Sequence, residues 1–244
     1  VRTMVLSLGE DVVREGMDRA RAVSKANDGG SSPLSAVDRF YLSRSELGSL
    51  SEAHAQGGLR SGRVRLRAPR MADAELILDL VNSPDTGWRL PTAGQYIHPA
   101  EVIADITNQV AGFVVAEETV SGSAVTLLAL TAHSERNGVG EMSFYSLRRS
   151  LSRDTGLSIE AAILYLSFLF TVLDLRKVTL QVRDRDLSQF GPMPESVVQR
   201  EGRMRHQIRE GNTFEDVHLF AIWREAWSAV EPELRRFLDG SEAI

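Results

Sequence analysis

The sequence predicts an α+β fold, a mixed and mostly antiparallel sheet flanked by helices, with a helical extension in front. Three observations predict it. From residue 64 onward, strand and helix patterns alternate, but three strands in a row precede the central helix, which a repeating βαβ fold does not do. The loops joining those strands carry Ser121-Gly122 and Asn137-Gly138, both hairpin turn signals. The apolar run over 159–173 has the length of one core helix and is too short to span a bilayer core of roughly 30 Å.

The elements follow in order. Residues 11–25 read as a helix, with Val13, Met17 and Ala20 on one side, and Asn27 to Pro33 break it with turn residues. A second helical piece covers 35–50, and the polar stretch 51–62 reads as a linker. Residues 64–68 alternate apolar side chains with arginine, as a half-buried strand does, and 72–81 has helical spacing. A second helix is expected over 99–110 with Pro99 in its first turn. Strands are expected at 112–117, 124–132 and 140–147, then the buried helix 158–173 and a strand at 177–183. A weak helix, strands at 202–209 and 214–223, and a helix over 224–238 complete the chain. The organisation is an extension over 1–60, a catalytic body over 61–228, and a helix end and tail over 229–244.

Composition excludes several classes of function. A formal charge of -5 with interspersed signs gives no broad positive field, so nucleic acid is not expected as a partner. With no cysteine among the 244 residues, the chain forms no disulfide, no thiolate metal site and no cysteine acyl-enzyme. The five histidines show no metal-ligand spacing, and no metal is assigned. Residues 1–9 hold Met4, Val5 and Leu6 but not the longer apolar segment and cleavage site of a secretory signal, so a cytoplasmic location with no membrane partner is expected.

Four stretches carry a family resemblance: Val64-Arg65-Leu66-Arg67 followed by Ala72-Asp73-Ala74-Glu75; Leu173 to Val178; Arg200 to Arg205; and Asp216-Val217-His218-Leu219 with Trp227. In this order and spacing the chain resembles the GNAT acyltransferases, and in detail the RimJ/RimL-type N-acetyltransferase branch. The resemblance implies a GNAT fold and direct transfer of an acyl group from acetyl-CoA or another acyl-CoA to the amine of a small molecule or peptide. It also implies a donor loop before the central helix, which here reads Arg153-Asp154-Thr155-Gly156-Leu157-Ser158, with Arg148 and Arg149 upstream. Glycine lets backbone approach phosphate, and amides at a helix start favour an anion. The plain alternative is a polar loop with Ser158 as an ordinary N-cap.

For the chemistry, the resemblance points to Glu141 as the base, with Tyr145 further along its strand. Asp186 stands near the place of an Asn that contacts CoA, and Ser188 near a Ser that protonates the leaving thiolate. A further glutamate position of relatives falls on Ile208, and His206, two residues earlier and so on the same strand face, is the substitute candidate. Trp88, Arg89 and Tyr96 lie where an acceptor-binding loop is expected. Ser158 in place of Gly or Ala, and Asp154 beside the phosphates, depart from the family pattern. Two other readings therefore stand beside the enzyme: a GNAT-fold protein that binds CoA or a partner without catalysis, and an acyltransferase whose donor is an acyl carrier protein met by Arg148, Arg149 and Arg153. The extension would cover the acceptor cleft or mediate homodimer formation.

Overall fold

The computed structural model describes residues 59–83, 98, 101–147, 156–187 and 195–238. The expected helices over 11–25 and 35–50 lie outside the described residues. The elements are β1 (Val64–Arg67), α1 (Ala74–Asn82), α2 (Val102–Gln109), β2 (Ala111–Glu118), β3 (Ala124–Ser134), β4 (Val139–Ser146), α3 (Leu157–Thr171), β5 (Lys177–Arg183), β6 (Val198–Glu210), β7 (Thr213–Trp223) and α4 (Arg224–Leu238). Among the described residues the strands form one sheet in the order β1-β2-β3-β4-β5-β7-β6. Every neighbouring pair is antiparallel except β4 and β5, which run parallel. The mixed, mostly antiparallel α+β architecture expected from the sequence is therefore present.

Period-2 alternation decides which side chains face which layer. On one face, α1 and α2 bury Ile77, Leu80, Val102 and Ile106 against Phe113, Leu127 and Tyr145. On the other, α3 and α4 pack on Leu128, Leu130, Met142 and Leu180. Helix α3 is apolar almost all round because the sheet takes one side and α4 another, through Trp227, Val230 and Leu234. Leu59 and Ser61, from the stretch that reads as a linker, are buried in the body: the Leu59 carbonyl accepts from the Leu66 N–H at 2.9 Å.

The β1 motif is explained by a buried ion-pair cluster. The Arg67 guanidinium donates to both oxygens of Asp73, at 2.7 and 2.9 Å, and its Nε donates to Glu117, which also accepts from Arg65. Asp73 in addition accepts the Arg70 N–H at 2.6 Å, which closes the turn into α1. Burial pushes both carboxyls up, but hydrogen bonds and charge from the arginines outweigh it and hold Asp73 and Glu117 below their ordinary values.

Two boundaries differ from the sequence reading by three residues or more. Helix α2 starts at Val102, because the Glu101 and Val102 N–H groups turn back onto the His98 carbonyl. Strand β6 starts at Val198 and absorbs two register shifts, around Arg200/Gly202 and Met204/Ile208. No helix among the described residues is long and apolar enough to cross a membrane.

Candidate active site

The parallel contact between β4 and β5 is short. Val139 pairs with Lys177, Gly140 with Val178 and Glu141 with Thr179, and there the shared ladder ends. Beyond it β4 stays with β3 as far as Ser146 opposite Thr126, and β5 stays with β7 as far as Arg183 opposite Val217. The two strands thus part into a cleft whose closed end is at residues 139–141. That end is pinned by Gly138, whose carbonyl accepts from the Arg176 and Lys177 N–H groups at 2.8 and 3.2 Å. Gly138 sits at φ 59°, and a Cβ there would lie 3.3 Å from the Arg176 side chain. Gly138→Ala is expected to cost about 1–2 kcal/mol, the usual penalty for the left-handed region, measurable as a lowered denaturation midpoint.

Glu141 stands at the point of divergence, half-buried. Its Oε2 accepts from Gln181 Nε2 across the opening at 2.7 Å, and its Oε1 lies 3.4 Å from the Thr131 hydroxyl on β3. Among the described residues it has no ion-pair partner. Tyr145, two pleats along, is buried with Leu127 and Ala129 beneath α1 and α2.

At the open end, α3 begins. Gly156 is its N-cap, in the left-handed region at φ 72°, so Ser158 is not the cap. The Gly156 carbonyl accepts the Ile159 and Glu160 N–H groups, whereas those of Leu157 and Ser158 have no intrahelical acceptor. The Ser158 hydroxyl is buried and shares a 2.7 Å hydrogen bond with Thr126. A serine fits where relatives carry Gly or Ala because β3 supplies that partner, and only its backbone N–H is offered at the helix start. One turn in, the fully buried Glu160 carboxylate is held by Ser61 and by Arg63, whose Nε and Nη2 donate at 2.9 and 2.6 Å. These bonds tie the α3 start to the segment before β1. Arg148 and Arg153 lie outside the described residues.

Asp186 is half-buried in the 3-10 turn Asp184–Asp186 that follows β5, also at the open end. His218, buried on β7, secures this turn: Nε2 is 2.7 Å from Asp184 Oδ1 and Nδ1 is 2.6 Å from Arg200 Nη2. A guanidinium can only donate, so Nδ1 accepts and Nε2–H donates to the carboxylate. Ser188 lies outside the described residues, as do Trp88, Arg89 and Tyr96.

His206 does not share the face of Ile208. Residues 205–207 bulge out between the Met204–Val217 and Ile208–Glu215 pairs, His206 takes φ 52°, and its N–H donates to Asp216 at 2.7 Å. The simple alternation fails across this bulge: Ile208 is buried, and His206 is exposed on the edge strand, separated from β5 by β7. The His206 backbone N–H, aided by Arg203, keeps the Asp216 carboxyl below its ordinary value. Sequence reasoning missed Gln181, Thr131 and the Glu160 and His218 contacts, which depend on strand register and, for Glu160, on how α3 docks.

No family model and no curated protein matches the chain. Solved structures do. A spermidine N-acetyltransferase from Vibrio cholerae in complex with CoA and spermine superposes with a TM-score of 0.56 at 17% identity, over 67% of this chain and 97% of that one. A GNAT-family acetyltransferase from Bacillus anthracis gives 0.53 at 16% identity, over 68% and 98%. A putative acetyltransferase gives 0.52 at 20% identity, over 72% and 90%. At these identities the likeness establishes the fold, which is that of the GNAT acetyltransferases.

Proposed function

We propose that this chain, built on the GNAT fold, is an acyl-CoA-dependent N-acyltransferase, with acetyl-CoA as the first donor to try. The observation that supports it is the parting of β4 from β5 immediately after Glu141, with the amides of the α3 start at the open end. A thioester donor would lie with its pyrophosphate against the Leu157 and Ser158 N–H groups, where backbone donors and the helix dipole favour an anion. The fit is physical: Gly156 adopts a conformation that lets backbone approach closely, and the Ser158 hydroxyl is turned inward to Thr126.

The reaction is direct attack. The amine nitrogen forms a bond to the thioester carbonyl carbon, the carbon–sulfur bond breaks, and the products are an amide and the free CoA thiol. The nitrogen gives up one proton, which Glu141 accepts, and the leaving thiolate gains one, for which Ser188 is our candidate donor. Arg148 and Arg153 are proposed as further phosphate contacts, and Trp88, Arg89 and Tyr96 as acceptor contacts. The RimJ/RimL resemblance, the neutral Gln181 partner of Glu141 and the spermine-bound neighbour together support a small-molecule or peptide amine as the acceptor class.

Calorimetric titration with acetyl-CoA and longer acyl-CoAs, followed by thiol-release assays against polyamines, aminoglycosides and peptide N-termini, tests this reading. Binding with turnover of at least one amine supports it. Tight binding without turnover over the panel would turn it into a CoA-binding protein. A donor preference for acylated carrier protein would replace the CoA thioester. Gly156→Val is expected to weaken acyl-CoA binding about tenfold or more, because the left-handed cap is strained for a β-branched residue and the amides beyond it shift.

A further inference from the structure

We propose that Gln181 is a positioning residue for Glu141, fixing the orientation of its carboxylate from the opposite strand. This rests on the acyl-transfer reading above.

The backbone ladder between β4 and β5 ends at Glu141 and Thr179. Gln181 is the next residue on β5 whose side chain points to the same face as Thr179. Instead of lining a paired strand, it reaches back across the opening, and its Nε2 donates to Glu141 Oε2 at 2.7 Å. The bond is a side-chain stitch placed where main-chain hydrogen bonding gives out. Thr131, on the far side of β4, donates to the Glu141 carbonyl at 3.2 Å and lies 3.4 Å from Oε1. Glu141 is therefore approached from both neighbouring strands, and its rotamer is set by β3 and β5 together.

The chemistry of the partner matters as much as its position. An amide N–H can only donate to the carboxylate, and donation favours the charged form. An arginine or lysine at 181 would compete with an incoming ammonium for the same oxygens. A neutral amide orients the carboxylate and leaves its charge available to attract the acceptor amine and then to take its proton. The bond from Gln181 still leaves lone pairs open on the carboxylate, because two oxygens offer about four acceptor sites.

The test uses the full chain. Gln181→Met keeps length and volume and removes the donor, and Gln181→Glu keeps polarity and replaces it with a like charge. With whichever amine the wild type acylates, Gln181→Met is expected to lower kcat about tenfold and to leave KM for acyl-CoA within about twofold, because the carboxylate is no longer held in place while the donor contacts are untouched. Gln181→Glu is expected to lower kcat further, since a like charge then pushes the Glu141 carboxylate from its position. A merely structural glutamine would alter the unfolding midpoint and leave kcat where it was.

A readout independent of turnover is the Gln181 side-chain amide cross-peak in a nitrogen–proton spectrum, assigned by its loss in Gln181→Met. It is expected to shift clearly in Glu141→Ala. An unmoved cross-peak, or a wild-type kcat in Gln181→Met, would overturn the proposal. If the cross-peak responds but the wild type acylates no amine, the acyl-transfer reading falls and the positioning role falls with it, while the contact itself stands.

Discussion

Arg67→Ala is expected to destabilise the protein by about 3–5 kcal/mol at neutral pH, the usual result of removing one partner from a buried charge cluster. Arg67 is buried together with Asp73 and Glu117, and its guanidinium hydrogen-bonds both carboxylates, whereas Arg70 reaches Asp73 through its N–H and Glu117 only as an ion pair at 3.9 Å. Without it, Asp73 keeps the Arg70 N–H and Glu117 keeps Arg65, neither of which restores the doubly bonded geometry. The pH dependence reports the same cluster. In the wild type both carboxyls titrate below their ordinary values of 3.8 and 4.5, so the unfolded chain takes up protons first on acidification. The stability they contribute is complete at neutral pH and drains as pH falls below about 4.5. In Arg67→Ala the carboxyls lose the partner that holds them charged, so acidification relieves part of the penalty. Urea unfolding at pH 7 and pH 4 should show the gap between wild type and variant narrowing; a gap that is constant or widens would show that the cluster does not govern stability here.

Glu141→Gln is the substitution with the largest expected effect on turnover, a fall in kcat/KM of about 10²–10⁴-fold. The amide oxygen of the new side chain can still accept from Gln181, so the fold should persist with a stability change under about 1 kcal/mol. Steady-state rates across pH, paired with thermal melts, separate loss of a base from loss of structure. A variant with wild-type rates would remove Glu141 from the mechanism.

Local patterns in the sequence carried the element types because they are set by nearest neighbours along the chain. Asn137-Gly138 marks a turn since glycine alone enters the left-handed region cheaply, and the apolar run of α3 reads as buried since no polar face exists to be solvated. The start of α3 was legible for the same reason: Gly156 before an apolar helix is a local signal. His206 shows the limit, because a two-residue bulge cancels the alternation that relates it to Ile208, and that bulge is held by Asp216, ten residues away on β7.

By itself, then, the sequence determined the order of the elements and the mixed sheet, while Glu141 entered as a candidate through the family resemblance. Tertiary structure decided where β4 leaves β5, and so which side chains meet at the cleft. Gln181 is forty residues from Glu141 in the chain, and Glu160 is ninety-nine from Ser61. Such contacts follow from strand register and helix docking, which depend on the packing of the whole core and leave no periodic trace in the residues concerned.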